Sequence, residues 1–215
     1  MLQSLTAKSM DVLSMMHKNL EKWYYTNELA RKVGVSSYTV SVNLSKLAKE
    51  GLVAVKKEGR EKYYRINLKN PEAKKLCELF ETQRRETFYS NNRRLGWALQ
   101  EFAKNLSNFL PQVQAAVLFG SAARGEATKA SDVDVLVLVP TLKEQEFKQL
   151  SKNVDEIASK VRSRFPVRFS PVVVTLEDFK KGLGEGQRFA TDVRHDAIVI
   201  FGEDRYYATL AEAMK

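Results

Sequence analysis

The stretch Val117–Pro140, VLFGSAARGEATKASDVDVLVLVP, decides the fold of the second half of this chain. It consists of an apolar run, a Gly-Ser turn, a polar loop and a second apolar run that opens on two carboxylates. Asp132 and Asp134 occupy positions i and i+2 of a strand-like segment, so their side chains leave the same face. Because Mg²⁺ takes one or two protein carboxylates together with substrate phosphates, we expect this pair to bind Mg²⁺, or Mn²⁺ in its place.

The turn before the carboxylates has the residues that a phosphate site needs. Gly120 lets the backbone pass close to a ligand, and Ser121 adds a hydroxyl and an N–H at the start of a short helix. The stretch therefore predicts a site for a nucleoside triphosphate (NTP) and a metal ion.

Gly120-Ser121, ten residues, then Asp132-Val133-Asp134 resembles the GS-x10-DxD signature of the polymerase-β-type nucleotidyltransferases. GSAARGEA with SDVDVLV is similar to the minimal, antitoxin-like branch of that family, over roughly residues 95–205. The resemblance implies transfer of a nucleoside monophosphate from an NTP to a hydroxyl of protein, RNA or a small molecule. Asp132 and Asp134 would then be catalytic and metal-binding, with Gly120, Ser121 and Arg124 binding the nucleotide.

The family also implies a third carboxylate, on the strand after the next helix. That strand is VRFSPVVVT, which has no acid and leads into a helix that we expect Thr175 to cap. We place the expected position of the third carboxylate at Val172, with Ser170 or Arg168 as same-face neighbours. Two functions therefore stay open. One is an active transferase, and the other is a transcriptional regulator or antitoxin whose degenerate transferase domain only binds a nucleotide or a partner protein.

Composition excludes several classes of protein. A lone Cys77 and two histidines predict neither a disulfide framework nor a zinc cluster. No uninterrupted apolar run approaches the length of a membrane span, so we expect a cytoplasmic protein with no membrane partner. The net charge of +9 is concentrated in residues 1–70, which contain 13 Lys or Arg against 6 Asp or Glu, as in many nucleic-acid-binding modules.

The first 70 residues predict helices near 4–20, from Thr26 to Val33 and from Ser36 or Ser37 to Glu50, followed by a hairpin around Glu58-Gly59-Arg60. This order is similar to the winged helix-turn-helix domains of MarR- and ArsR-type transcription regulators. The resemblance implies binding to double-stranded DNA, although a winged helix used only for protein contact is the alternative. The expected DNA-contacting residues are Ser37, Tyr38, Ser41, Asn43 and Lys46 on the third helix, and Lys56, Lys57, Arg60 and Lys62 on the wing.

The fold class predicted is a two-domain α+β or α/β protein. A winged helix-turn-helix domain (1–70) precedes a helical linker (71–94), and a nucleotidyltransferase-type mixed sheet with flanking helices follows (95–215). The helical segment between the domains either forms a dimer interface or covers the sheet of its own chain. Its arginines Arg84, Arg85, Arg93 and Arg94 either reach phosphate or lie on a solvated face. We expect a homodimer, since two-fold operators favour dimers, and the antitoxin resemblance implies a cognate toxin or another protein acceptor.

Overall fold

A computed structural model describes residues 5–128 and 131–214 and divides into two units, Met1–Phe80 and Glu81–Lys215. The division falls inside the segment 71–94 that the sequence assigns to a linker. Among the described helices, none combines the length and apolar character that crossing a membrane requires.

The first unit follows the predicted order of short helices and a hairpin. Ser36 begins the third helix by accepting a hydrogen bond from the backbone N–H of Thr39 at 3.1 Å, and Gly34 ends the second helix at φ +73°. Gly59 has φ +61° in a two-residue turn between the hairpin strands, where a positive φ favours glycine. The elements are α1 (Ala7–His17), β1 (Tyr24–Tyr25), α2 (Thr26–Val33), α3 (Ser37–Lys49), β2 (Val53–Glu58) and β3 (Glu61–Ile66), and the strands form an antiparallel sheet in the order β1-β3-β2.

Two helices occupy the segment between residues 70 and 110. They are α4 (Pro71–Asn91) and α5 (Arg93–Phe109), separated at Asn92. Leu99, Phe102 and Leu106 of α5 are buried in one cluster with residues of the sheet that follows, so α5 covers the sheet of its own chain. The role of the segment as a dimer interface stays a prediction.

The second unit is built on a four-stranded mixed sheet in the order β6-β5-β4-β7. Strand β5 pairs antiparallel with β4 and parallel with β6, and the long helix α7 makes the crossover that a parallel pair requires. The predicted Thr175 cap of α8 is confirmed, since its hydroxyl accepts from the backbone N–H of Asp178 at 3.0 Å. The elements are β4 (Ala115–Leu118), α6 (Gly120–Arg124), β5 (Val133–Val139), α7 (Glu144–Arg164), β6 (Phe169–Thr175), α8 (Leu176–Gly184), α9 (Arg188–Asp196), β7 (Ile198–Phe201) and α10 (Glu203–Ala213).

Side chains from the middle of α4 form hydrogen bonds with backbone groups at and beside β7, the last strand of the sheet. Glu81 is 1% exposed and accepts hydrogen bonds from the backbone N–H of Val199 at 2.8 Å and from the hydroxyl of Tyr207 at 3.1 Å. Arg84 donates to the carbonyl of Ala197 at 2.6 Å, and Arg85 donates to the carbonyl of Val199 at 3.3 Å. Burial raises the pKa of Glu81, against the lowering influence of Arg84 and of these two hydrogen bonds.

Candidate functional site

The two predicted metal ligands lie at the start of β5. Asp132 directly precedes the strand and Asp134 is its second residue, and both are half-buried. Burial, followed by the nearby negative charge of Asp132, raises the pKa of Asp134. An electrostatic penalty of this kind is relieved by a cation, so the pair suits Mg²⁺.

The Gly-Ser turn and the carboxylate pair meet through Gly120. The backbone N–H of Phe119 donates to the carbonyl of Asp134 at 3.1 Å, which holds the end of β4 beside the start of β5. Gly120 has φ +71°, and a Cβ atom at this position would lie 2.7 Å from Oδ2 of Asp134. Glycine is therefore required here for two reasons, the left-handed backbone and the space that the carboxylate occupies. Ser121 is the next residue of α6 and is half-buried.

Arg124 lies at the end of α6 with its guanidinium already bound by carboxylates. It pairs with Asp196 at the end of α9, and with Glu126 at 2.8 Å. These two hydrogen bonds raise the pKa of Arg124. Sequence reasoning did not find Asp196, which is 8% exposed and is the last residue of α9, a helix that the sequence analysis did not predict. The nucleotide-binding role of Arg124 stays a prediction.

Strand β6 has no acid, and its register shows which residue lies beside Asp134. Ser170 pairs with Asp134, whereas Val172 pairs with Leu136 further along the two strands. Ser170, and not Val172, therefore occupies the position next to the carboxylate. Two nearby acids, Glu177 and Asp178, follow Thr175 at the other end of β6. Five residues of strand separate that end from Ser170, roughly 16 Å.

The described residues of the site can supply part of the coordination shell of one shared metal ion, but not all of it. Within residues 5–128 and 131–214, no group of three or more His, Cys, Asp or Glu side chains is placed to hold a metal. Two carboxylates suffice for a Mg²⁺ ion that arrives with substrate phosphates. Arg168 competes with a metal ion for this pair, since its Nε lies 3.2 Å from Oδ1 of Asp132.

A wide cleft opens beside Asp132. Its volume is about 1020 Å³. Its lining includes four arginines that come from α5, from the last turn of α7 and from the approach to β6, namely Arg93, Arg94, Arg162 and Arg168. The sequence named Arg93 and Arg94 as phosphate candidates, whereas it gave no signal that Arg162 would join them.

The predicted DNA-contacting residues divide by exposure. The expectation that α3 exposes Asn43 was wrong: Asn43 is 8% exposed, accepts from the hydroxyl of Thr6 at 3.2 Å and donates to the carbonyl of Thr39 at 2.8 Å. Lys56 is half-buried, bonds to Glu58 at 2.7 Å and lies over the rings of Trp23 and Tyr63. The other predicted residues are exposed, namely Ser37, Tyr38, Ser41, Lys46, Lys57, Arg60 and Lys62.

Comparisons with known proteins match the part of the chain that holds this site. The nucleotidyltransferase domain family matches residues 99–188. A relative from Methanocaldococcus jannaschii, named "putative protein adenylyltransferase", is 38% identical over 79 residues, which cover 35% of this chain and 74% of the relative. A solved structure described as a toxin-antitoxin crystal structure with AMP-PNP aligns at a TM-score of 0.35 and 20% identity, over 53% of this chain and 80% of that chain.

Proposed function

Because this chain belongs to the nucleotidyltransferase domain family, we propose that it transfers a nucleoside monophosphate from an NTP to an acceptor hydroxyl, with Mg²⁺ held by Asp132 and Asp134. The observation that carries this proposal is the close approach of Gly120 to Asp134, since it joins the Gly-Ser turn and the carboxylate pair in one site. The name of the M. jannaschii relative favours ATP as the donor.

Each residue of the site has a separate task in this reaction. When bound, Mg²⁺ supplies charge neutralisation at the phosphates and orients them for displacement. Asp132 and Asp134 provide its protein oxygens, and Ser121 offers its hydroxyl and N–H to a phosphate oxygen. For Arg124 to neutralise phosphate, it must exchange Asp196 or Glu126 for the ligand. No described side chain replaces the third family carboxylate, so the proton of the acceptor hydroxyl is assigned to water.

A second candidate function is a nucleotide-sensing regulator without turnover. Two observations favour it: strand β6 has Ser170 beside Asp134 where an acid would support the attacking hydroxyl, and Arg168 already neutralises Asp132. Both candidates require NTP binding, but only the first requires breakage of the bond between the α- and β-phosphates.

For the first unit we propose a winged helix that binds double-stranded DNA. The exposed side chains of α3 and the three exposed cations of the hairpin support this proposal, whereas Asn43 is excluded from base contact by burial. Replacing Lys57, Arg60 and Lys62 together with Ala should lower the salt dependence of DNA binding by roughly one unit of slope per lost phosphate contact. An unchanged slope would argue against a wing on DNA. A homodimer and a toxin partner stay predictions.

The transfer reaction is tested with NTPs labelled at the α-phosphate, incubated with Mg²⁺ and either the protein alone, total RNA or a cell extract. The test variant is Asp132→Asn with Asp134→Asn. A matched control is Asp155→Asn with Glu156→Gln, which also removes two negative charges, but from an exposed stretch of α7. Label transferred by wild type and the control, but not by the test variant, supports turnover. NTP binding without any label transfer supports the sensing candidate.

A further inference from the structure

The arginine cleft beside Asp132 has more cationic groups than its own carboxylates use. Arg168 pairs with Asp132, but no carboxylate of the described chain is paired with Arg93, Arg94 or Arg162. Arg93 and Arg94 begin α5, Arg162 lies in the last turn of α7, and all three line the same cleft. Guanidinium groups left without acidic partners around a cleft are suited to phosphate, which they bind in bidentate geometry.

The cleft is large enough to hold part of an extended ligand. Its volume of about 1020 Å³ lies at the upper end of ligand pockets, which run roughly from 300 to 1,000 Å³. Its lining includes the first residues of α5. On α5, Arg93 and Arg94 precede Trp97 by four and three residues, so the three side chains share one face of the helix.

Trp97 is the feature that favours a nucleic acid over a free phosphate compound as the ligand. Its side chain is 59% exposed, whereas Trp side chains are on average largely buried. Gln100 and Lys104 follow on the same face, and both are exposed. A positively charged groove with an exposed aromatic ring is the arrangement by which proteins bind single strands, because bases stack on the ring while cations follow the backbone.

We propose that α5 and the arginine cleft form a binding site for single-stranded nucleic acid, whose end lies beside Asp132 as the acceptor. The acceptor role of the strand rests on the proposed transferase function, whereas binding of the strand does not. In the transfer step, the terminal hydroxyl oxygen forms a bond to the α-phosphorus of the NTP. The bond from that phosphorus to the oxygen bridging to the β-phosphate breaks, pyrophosphate leaves with the electron pair, and the hydroxyl proton passes to water.

Binding is measured by fluorescence anisotropy of a short labelled RNA without self-complementarity, on the full chain, with EDTA and without NTP. The cleft variant is Arg93→Ala, Arg94→Ala and Arg162→Ala. The matched control is Lys152→Ala, Lys181→Ala and Arg188→Ala, which removes the same number of charges from exposed positions of α7, α8 and α9 that do not line the cleft. We expect the cleft variant to bind at least tenfold more weakly, with a salt slope lower by about 2, since each phosphate contact to a single strand contributes about 0.7.

Two further variants test the aromatic ring and the geometry of the charges. Trp97→Ala should weaken binding by about fivefold or more, as expected for one lost stacking partner. Replacing the three cleft arginines with lysine should keep the salt slope while lowering affinity, which separates lost charge from lost folding. The control variant of Lys152, Lys181 and Arg188 should stay within twofold of wild type. A single-stranded DNA of the same sequence shows whether the 2′-hydroxyl contributes.

The inference is overturned if the cleft variant keeps wild-type affinity and slope, or if the control variant of Lys152, Lys181 and Arg188 loses as much affinity as the cleft variant. Its failure is distinguishable from failure of the proposed function. Strand binding with no transfer of label to any acceptor refutes the transferase proposal alone. Strand binding with label transferred to protein, but never to the 3′ end, refutes the acceptor part of this inference. Conversely, label transfer to protein by a chain that does not bind the strand refutes this inference alone. A strand blocked by a 3′-phosphate should bind normally and accept no label.

Discussion

Replacing Gly120 with Ala perturbs one contact that holds the candidate site together. The new Cβ would lie 2.7 Å from Oδ2 of Asp134, and Cβ atoms in proteins essentially never approach another heavy atom within 3.0 Å. Asp134 must therefore move by about 0.3 Å or more, away from the position in which it faces a shared cation with Asp132. The substitution tests whether the Gly-Ser turn and the carboxylate pair act as one site.

The expected magnitude has two parts. The left-handed backbone at φ +71° costs a residue with a Cβ about 1–2 kcal/mol, and this part lowers the free energy of unfolding. The displacement of Asp134 adds a loss of metal-dependent nucleotide affinity. We expect that loss to be roughly tenfold, or about 1.4 kcal/mol, close to the lower end of what one interaction with a charged group contributes.

The matched control is Gly186→Ala. Gly186 has φ +68° in the same unit, but a Cβ there would meet no atom within 4 Å. Urea unfolding should therefore show a similar backbone penalty for both variants, while calorimetric titration with ATP and Mg²⁺ should show weaker binding for Gly120→Ala alone. Equal ATP affinity in the two variants would refute the assignment of Gly120 as the residue that positions Asp134.

Two other substitutions probe single groups. Arg168→Ala should strengthen Mg²⁺-dependent nucleotide binding by about twofold, because Arg168 no longer competes with the metal ion for Asp132. The effect is small because a partly exposed ion pair contributes less than about 1 kcal/mol. The control Arg164→Ala, which breaks the ion pair with Glu101, should leave the nucleotide affinity unchanged. Glu81→Gln should flatten the pH dependence of the free energy of unfolding. Because the pKa of Glu81 is raised in the folded protein, wild type loses stability as the pH rises through that pKa. Parallel stability curves for wild type and the variant would contradict this assignment.

Much of the candidate site was predictable because its signals are local. Gly120 directly follows the end of β4 and Asp134 lies in β5, within one short motif. The spacing of the carboxylates fixes their common face without knowledge of the rest of the fold. Thr175 was predicted as a helix cap for the same reason, since a cap depends on residues within one turn.

The remainder depends on contacts between distant parts of the chain. Arg162 and Arg93 line the same cleft because α7 and α5 lie on the same side of the sheet. No local sequence pattern predicts this arrangement. Asn43 looked exposed by its residue type, but its amide bonds to Thr6 on another helix. Similarly, Arg84 was a phosphate candidate in the sequence, whereas in the fold it donates to the carbonyl of Ala197.

The hydrogen bonds from α4 to β7 have a consequence for assembly. Strand β7 is the last strand of its sheet, and an outer strand with free backbone groups is a template on which another chain can add a strand. Glu81, Arg84 and Arg85 bind the N–H and carbonyl groups through which such addition would begin. Copies of this chain therefore cannot extend the sheet across β7 while α4 stays in place, and self-association must proceed through other surfaces. A substitution that detaches α4 would convert β7 into a site of aggregation.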